Sequence, residues 1–332
     1  MQKAILYPMQ FEPIYEYRPW GGQRLASLLT MVLPGHDPIG EAWVLSDRDD
    51  HRSLVSNGAL KGWSINQLLQ KYPEQMMGKL AKRFPRFPLL LKFLDVKGML
   101  SVQVHPSDEH LDLLPEGETG KTEAWVVLDA SDESRIFAGL KAGTSDEGLR
   151  RAIASGAVVD QLTSFVPKNG DAVFLPAGTV HTMGNGVVVF EVQQNSDVTF
   201  RLDDWGRVDP KTGKPRSLQV DKAIASIDFS EHLAGLVQPV LEEDGPVERR
   251  RLFDCKHFRV WRLTGLLPFT VGTPDVPRLL VCIEGNGHVK CGRASFAIKK
   301  GSVMLLPSEL GVCLFKPKTP VVLLEIALPE SA

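Results

Sequence analysis

Along much of the chain apolar and polar residues alternate at every second position, in short β-branched runs closed by Gly, Pro, Asn or Asp. That period of two is the signature of strands with one face buried, and its spacing suits sandwiches and barrels. Helical spacing is confined to three places. Residues 63–72 follow Ser64 as a plausible N-cap, residues 145–154 lie between a capping Ser145 and a terminating Gly156, and the third covers 219–227. The pattern predicts a mainly β protein with a few short helices. At 332 residues the chain exceeds one ordinary core, so two packed units are expected. The charged run 242–251, broken by Gly245-Pro246, reads as a solvated linker. The expected division is 1–240, a linker over 241–251, and a smaller β unit over 252–332.

An internal repeat supports two related units. Residues 169–176 align without a gap on 300–307, each a Gly turn feeding an apolar strand that ends at Pro. Continuing the register sets His181 against Val312, so only the first copy keeps a side chain able to bind metal. Two barrel-like units follow, the second chemically unequipped.

Polar residues interrupt the apolar pattern in a way that points to chemistry. In a strand, residues two apart share a face. Ser101, Gln103 and His105 therefore point together, as do Lys121, Glu123 and Trp125, and again Glu191 and Gln193. Burying such groups is costly unless they are paired. Pro176-Ala177-Gly178 turns the chain and delivers His181, and Arg201 follows in a strand-like triplet. Two imidazoles, a carboxylate and an amide without thiolate suit a borderline divalent ion with an open position, zinc first.

Charge and composition narrow the partners. A formal net charge of −2 gives no electrostatic case for nucleic acid or an anionic membrane. No apolar run reaches the ~20 residues of a membrane span, and the N-terminal residues carry no secretory pattern, so a cytoplasmic location is expected. The four cysteines, 255, 282, 291 and 313, lack C-x-x-C spacing and read as reduced, buried thiols.

Gln103-Val104-His105-Pro106, Lys121-Thr122-Glu123-Ala124-Trp125 and Pro176–His181, followed by Glu191, Ser196-Asp197 and Arg201, together resemble type I mannose-6-phosphate isomerase, a zinc enzyme of the cupin superfamily. Tyr17–Gly22, Gly40–Trp43 and Phe87–Asp95 are similar to further motifs of that family, and the likeness covers roughly residues 6 to 230. It implies two cupin-like jelly-roll units and one zinc ion held by Gln103, His105, Glu123 and His181. Arg201 would be catalytic, and Ser101, Lys92 and Lys121 would line a sugar-phosphate pocket. The expected reaction interconverts mannose 6-phosphate and fructose 6-phosphate through an enediol-type proton transfer. Glu191 is assigned as base, with Lys121 and a water on the ion as rivals. Lys92 with Ser101 would meet the phosphate. Arg201 could instead simply pair with Asp203 or Asp204. Trp20, Trp43 and Trp205 read as core. Arg18-Pro19 reads as scaffold. An oxygenase-type cupin and a non-catalytic sugar-phosphate sensor are the alternatives, and a monomer or weak homodimer is expected.

Overall fold

The computed structural model describes residues 6–110, 112–230 and 234–329. Strands dominate, as the alternation predicts, and they form two pairs of facing sheets. In the first pair, a seven-stranded sheet runs in the order Gly235–Val237, Ala172–Leu175, Glu123–Asp129, Val187–Gln194, Leu89–Val96, Ile14–Gly22, Ile39–Leu45. It faces a five-stranded sheet ordered Leu162–Phe165, Arg135–Leu140, His181–Gly184, Val102–Val104, Phe200–Asp203. Leu94, Trp125, Val127 and Val189 of the larger sheet pack with Ile136, Ala138 and Met183 of the smaller one.

The second pair repeats this plan. Its seven-stranded sheet contains Val303–Leu306, Arg278–Glu284 and Val321–Ala327 side by side, and its four-stranded sheet contains Ala294–Lys299, Asn286–Cys291 and Cys313–Pro317. These six strands stand in the same neighbour relations as Ala172–Leu175, Glu123–Asp129, Val187–Gln194, Leu162–Phe165, Arg135–Leu140 and His181–Gly184. The repeat seen in the sequence is thus a repeat of connectivity. The sheets are open, however, and no closed barrel occurs among the described residues.

Alternate positions on the central strands serve two cores. Ala124, Val126, Phe93 and Phe190 turn away from the first sandwich and join Leu279, Val281, Leu324 and Ile326 from the second, so the two large sheets pack back to back. Helices Arg24–Leu29, Ile65–Lys71 and Pro73–Met77 add Leu25, Leu68 and Met76 to this shared core. Ser64 caps its helix through a capping box with Gln67, and Ser145 caps Asp146–Ala154. No helix among the described residues is long and apolar enough to cross a membrane.

Three expectations need correction. The charged segment 241–251 is not a loose linker: Val240–Asp244 and Val247–Asp254 pair as an antiparallel hairpin on the second large sheet. Its arginines satisfy the backbone-paired strand surface through Arg250–Glu248 and Arg251–Glu242 ion pairs. Cys291 and Cys313 are joined by a disulfide, because strands 22 residues apart in sequence bring them together across the four-stranded sheet; Cys255 and Cys282 are free. Trp205 is 41% exposed rather than core, held by an N–H bond to the Leu100 carbonyl.

Candidate active site

The polar residues converge between the two sheets of the first sandwich. On the smaller sheet, Gln103 lies in register with His181 on one side and Arg201 on the other, so these three share a row. On the larger sheet, Trp125, Glu191 and Lys92 form a second row, and Glu123 sits one alternation away opposite Gln193. Residues opposed in register project from the same face. Strand alternation alone therefore aims both rows into the space between the sheets.

His105, Glu123 and His181 form the metal-competent cluster, with ligand atoms all within 4.8 Å of one another. Nε2 of His105 lies 3.3 Å from Oε2 of Glu123, and Nε2 of His181 lies 3.2 Å from Oε1. Each imidazole is fixed from behind: Nδ1 of His105 is 2.8 Å from the Val198 carbonyl, and Nδ1 of His181 is 2.9 Å from that of Thr179. Donation from Nδ1 leaves Nε2 as a lone pair facing inward. Burial, then the Lys121 charge, depresses His105 to about 3, which keeps the ring neutral and able to ligate. Burial alone would raise Glu123, yet the Lys121 ammonium holds it well below the ordinary range. Nε2 of His105 and Oε1 of Glu123 are buried without a hydrogen-bond partner, and Oε2 has only the Lys121 ammonium beside it. Such orphaned donor atoms are what a divalent cation would satisfy. Gln103 is adjacent, with Nε2 3.2 Å from Nε2 of His181 and Oε1 accepting from Ser101 Oγ at 3.1 Å.

Glu123 of the cluster lines a cavity of about 260 Å³. Every expected site residue apart from the two histidines lines it, while His105 and His181 stand behind. Lys121 Nζ is 3.0 Å from Glu123 and 3.9 Å from Glu191. Burial, followed by the Glu123 charge, pushes Glu191 up to about 7. Arg201 makes no ion pair among the described residues, and its Nε is buried without a partner. Burial and the nearby Arg216 lower its pKa. Asp204, weighed as its partner, instead holds Arg207 and Arg216.

Lys92 is fully buried, 3.4 Å from Glu41 and 3.6 Å from Asp197, with its ammonium over the Trp43 ring. Burial opposes its charge, but Glu41 and Asp197 hold its pKa above the ordinary value. Glu41 also accepts from Arg18 Nε at 2.8 Å and Trp43 Nε1 at 2.7 Å. Arg18, read as scaffold, in fact lines the cavity with Glu41, Asp197 and Arg216. The signal available for them was weak: Arg18 and Glu41 sit in the N-terminal motifs, but only strand pairing brings them near Lys92.

The family described as phosphomannose isomerase type I, catalytic domain, matches residues 9–124, a span holding Gln103, His105 and Glu123. The mannose-6-phosphate isomerase ManA of Bacillus subtilis is 35% identical over 92% of this chain and 94% of its own length. A crystal structure of the Bacillus subtilis mannose 6-phosphate isomerase superposes with a TM-score of 0.89 at 30% identity, covering 97% of this chain and 99% of that one. A zinc-bound mannose 6-phosphate isomerase shares the fold at a TM-score of 0.77 and 17% identity, covering 97% and 99% of the two chains. With 35% identity sustained over nearly the full length of ManA, this chain belongs to the mannose-6-phosphate isomerase family.

Proposed function

We propose that the cavity interconverts mannose 6-phosphate and fructose 6-phosphate, with one zinc ion held by Gln103, His105, Glu123 and His181. The observation that carries this reading is the buried, inward-facing His105–Glu123–His181 cluster beside Glu191, whose Oε1 accepts no hydrogen bond, and an Arg201 with no ion pair among the described residues. The donor set fits zinc, having two neutral imidazoles, a carboxylate and no thiolate. Gln103 would ligate through Oε1, which here accepts from Ser101. When bound, zinc supplies Lewis-acid polarisation of the substrate oxygens.

The chain's own residues carry the proton transfer. Glu191 takes the proton from C2 of the open-chain aldose and returns it to C1, while the hydroxyl proton moves from O2 to O1. A carboxyl raised toward neutrality suits that double role. Lys121, between Glu123 and Glu191, is positioned to exchange protons with the substrate oxygens. Arg201 stays protonated at working pH, and its charge lies against the developing enediolate. Ser101 and Lys92 are assigned to substrate binding on the phosphate side.

The repeated strand connectivity further supports two cupin-like units, a catalytic one and a metal-free one that begins with the hairpin over 240–254 and runs on through the second pair of sheets. In the second, the position equivalent to Glu123 by strand register is Arg278, and the gapless sequence alignment sets Val312 against His181. We place the enzyme in the cytoplasm as a monomer or weak homodimer. A coupled assay of mannose 6-phosphate against fructose 6-phosphate tests the central reading. Reversible conversion, lost with chelator and restored by zinc, is expected; no conversion by zinc-loaded protein overturns it.

A further inference from the structure

Trp125 is buried at 1% exposure, lines the cavity, and keeps an indole N–H with no hydrogen-bond partner. The indoles of Trp43, Trp205 and Trp261 donate to Glu41, the Leu100 carbonyl and Glu242 respectively. Buried indole N–H groups ordinarily find an acceptor, and the indole can only donate. Trp125 lies two residues beyond Glu123 on one strand face, directly opposite Glu191 in register, and edge-on to His181 with ring centroids 5.5 Å apart. Oε1 of Glu191 likewise accepts no hydrogen bond, so the two neighbours do not satisfy each other. Both residues line the same cavity, so an acceptor carried by a molecule bound there would lie beside them.

We infer that the Trp125 indole N–H donates a hydrogen bond to an oxygen of the bound sugar phosphate near the carbons that exchange the proton, making Trp125 a specificity-determining residue. The inference rests on the isomerase reading above. A site built to bond a substrate hydroxyl discriminates against analogues lacking it more strongly than an apolar wall does.

The test compares wild type with Trp125→Phe, which keeps an aromatic side chain and removes the N–H. Expected are a loss of about 10-fold in kcat/KM for mannose 6-phosphate and an unchanged zinc content. Among monodeoxy hexitol 6-phosphates, one analogue should bind both proteins equally, whereas a role in packing alone would weaken all of them alike. A kcat/KM within twofold of wild type, or uniform weakening across the analogues, overturns the inference. Should the variant fail to fold or to hold zinc, ultraviolet resonance Raman of wild type decides. Saturation with an unreactive hexitol 6-phosphate should shift the indole N–H marker band, and no shift overturns the inference. If zinc-loaded wild type does not isomerise mannose 6-phosphate, the isomerase reading fails instead.

Discussion

Glu191 and Lys92 stand opposite one another on paired strands, yet the lysine ammonium is held by Glu41 at 3.4 Å and Asp197 at 3.6 Å. The nearest cation to Glu191 is Lys121, 3.9 Å away and closer still to Glu123. Glu191 is thereby left buried, without a hydrogen bond at Oε1 and with its pKa raised to about 7, able to hold a proton. Glu191→Gln should lower kcat by about 10²- to 10⁴-fold while zinc content, measured by elemental analysis, stays at wild-type level. Near-normal turnover would move the base to Lys121.

The same carboxylate sets a pH dependence. Burial and Glu123 push it up to about 7, and only the ionised form accepts a proton. Activity should therefore rise with pH through this group and be lost on the acid side. A cation on Glu123 offsets the like charge, so the acid limb of kcat/KM in zinc-loaded enzyme should lie below about 7 and above the ordinary glutamate value of about 4.3. A profile flat down to pH 5 would remove Glu191 from the reaction.

Metal binding and turnover should separate by residue. His105→Ala removes an inward Nε2 and should lose zinc and activity together. On the proposed role of its guanidinium at the transition state, Arg201→Ala should retain zinc and lose about 10²- to 10³-fold in kcat. Demetallation of Arg201→Ala would show that its place in the Gln103 row is structural.

What could be read from the sequence is what strand alternation encodes. The faces of Ser101, Gln103 and His105, and of Lys121, Glu123 and Trp125, follow from spacing alone, and the structure sets them around one space. Arg18 and Glu41 escaped because their relevance depends on which strand pairs with Leu89–Val96, a long-range choice that local pattern does not express. The Cys291–Cys313 bridge escaped for the same reason: it depends on cross-strand register, not on spacing. The charged hairpin was mistaken for a linker because its exposed edge strand, Val240–Asp244, carries no buried face to alternate.

The bridge itself predicts a thiol count. Unfolded, unreduced protein should titrate two thiols, Cys255 and Cys282, and four after reduction. Closing a loop with a sequence separation of 22 contributes about 3 kcal/mol in the chain-entropy treatment, so reduction should lower Tm by several degrees. Four thiols before reduction would show the pair open.

Acid sensitivity of the metal-free protein should trace to His105. Its folded-state value of about 3 lies below the free imidazole value of about 6.5, so the unfolded chain binds the proton more tightly. The stability it contributes is present above about 6.5 and is lost as pH falls toward 3. Glu191 acts with opposite sign, whereas burial lowers His257 to about 4 and gives it the same sign as His105. In chelator-treated Glu191→Gln the Tm should fall between pH 7 and pH 5, and adding His105→Gln should lessen that fall.

Register also equates Glu191 with Glu325 in the second sandwich. There the carboxylate accepts from the Gly272 N–H at 2.8 Å and meets Arg249 at 3.0 Å. The duplicated position thus exists once at rest and once under load. An arginine at 3.0 Å neutralises the acid in the second sandwich, whereas Glu191 meets Lys121 only at 3.9 Å and tolerates the electrostatic discomfort. Relieving that discomfort by filling the Glu191 site with an apolar residue would be expected to yield a sturdier molecule with nothing left to catalyse.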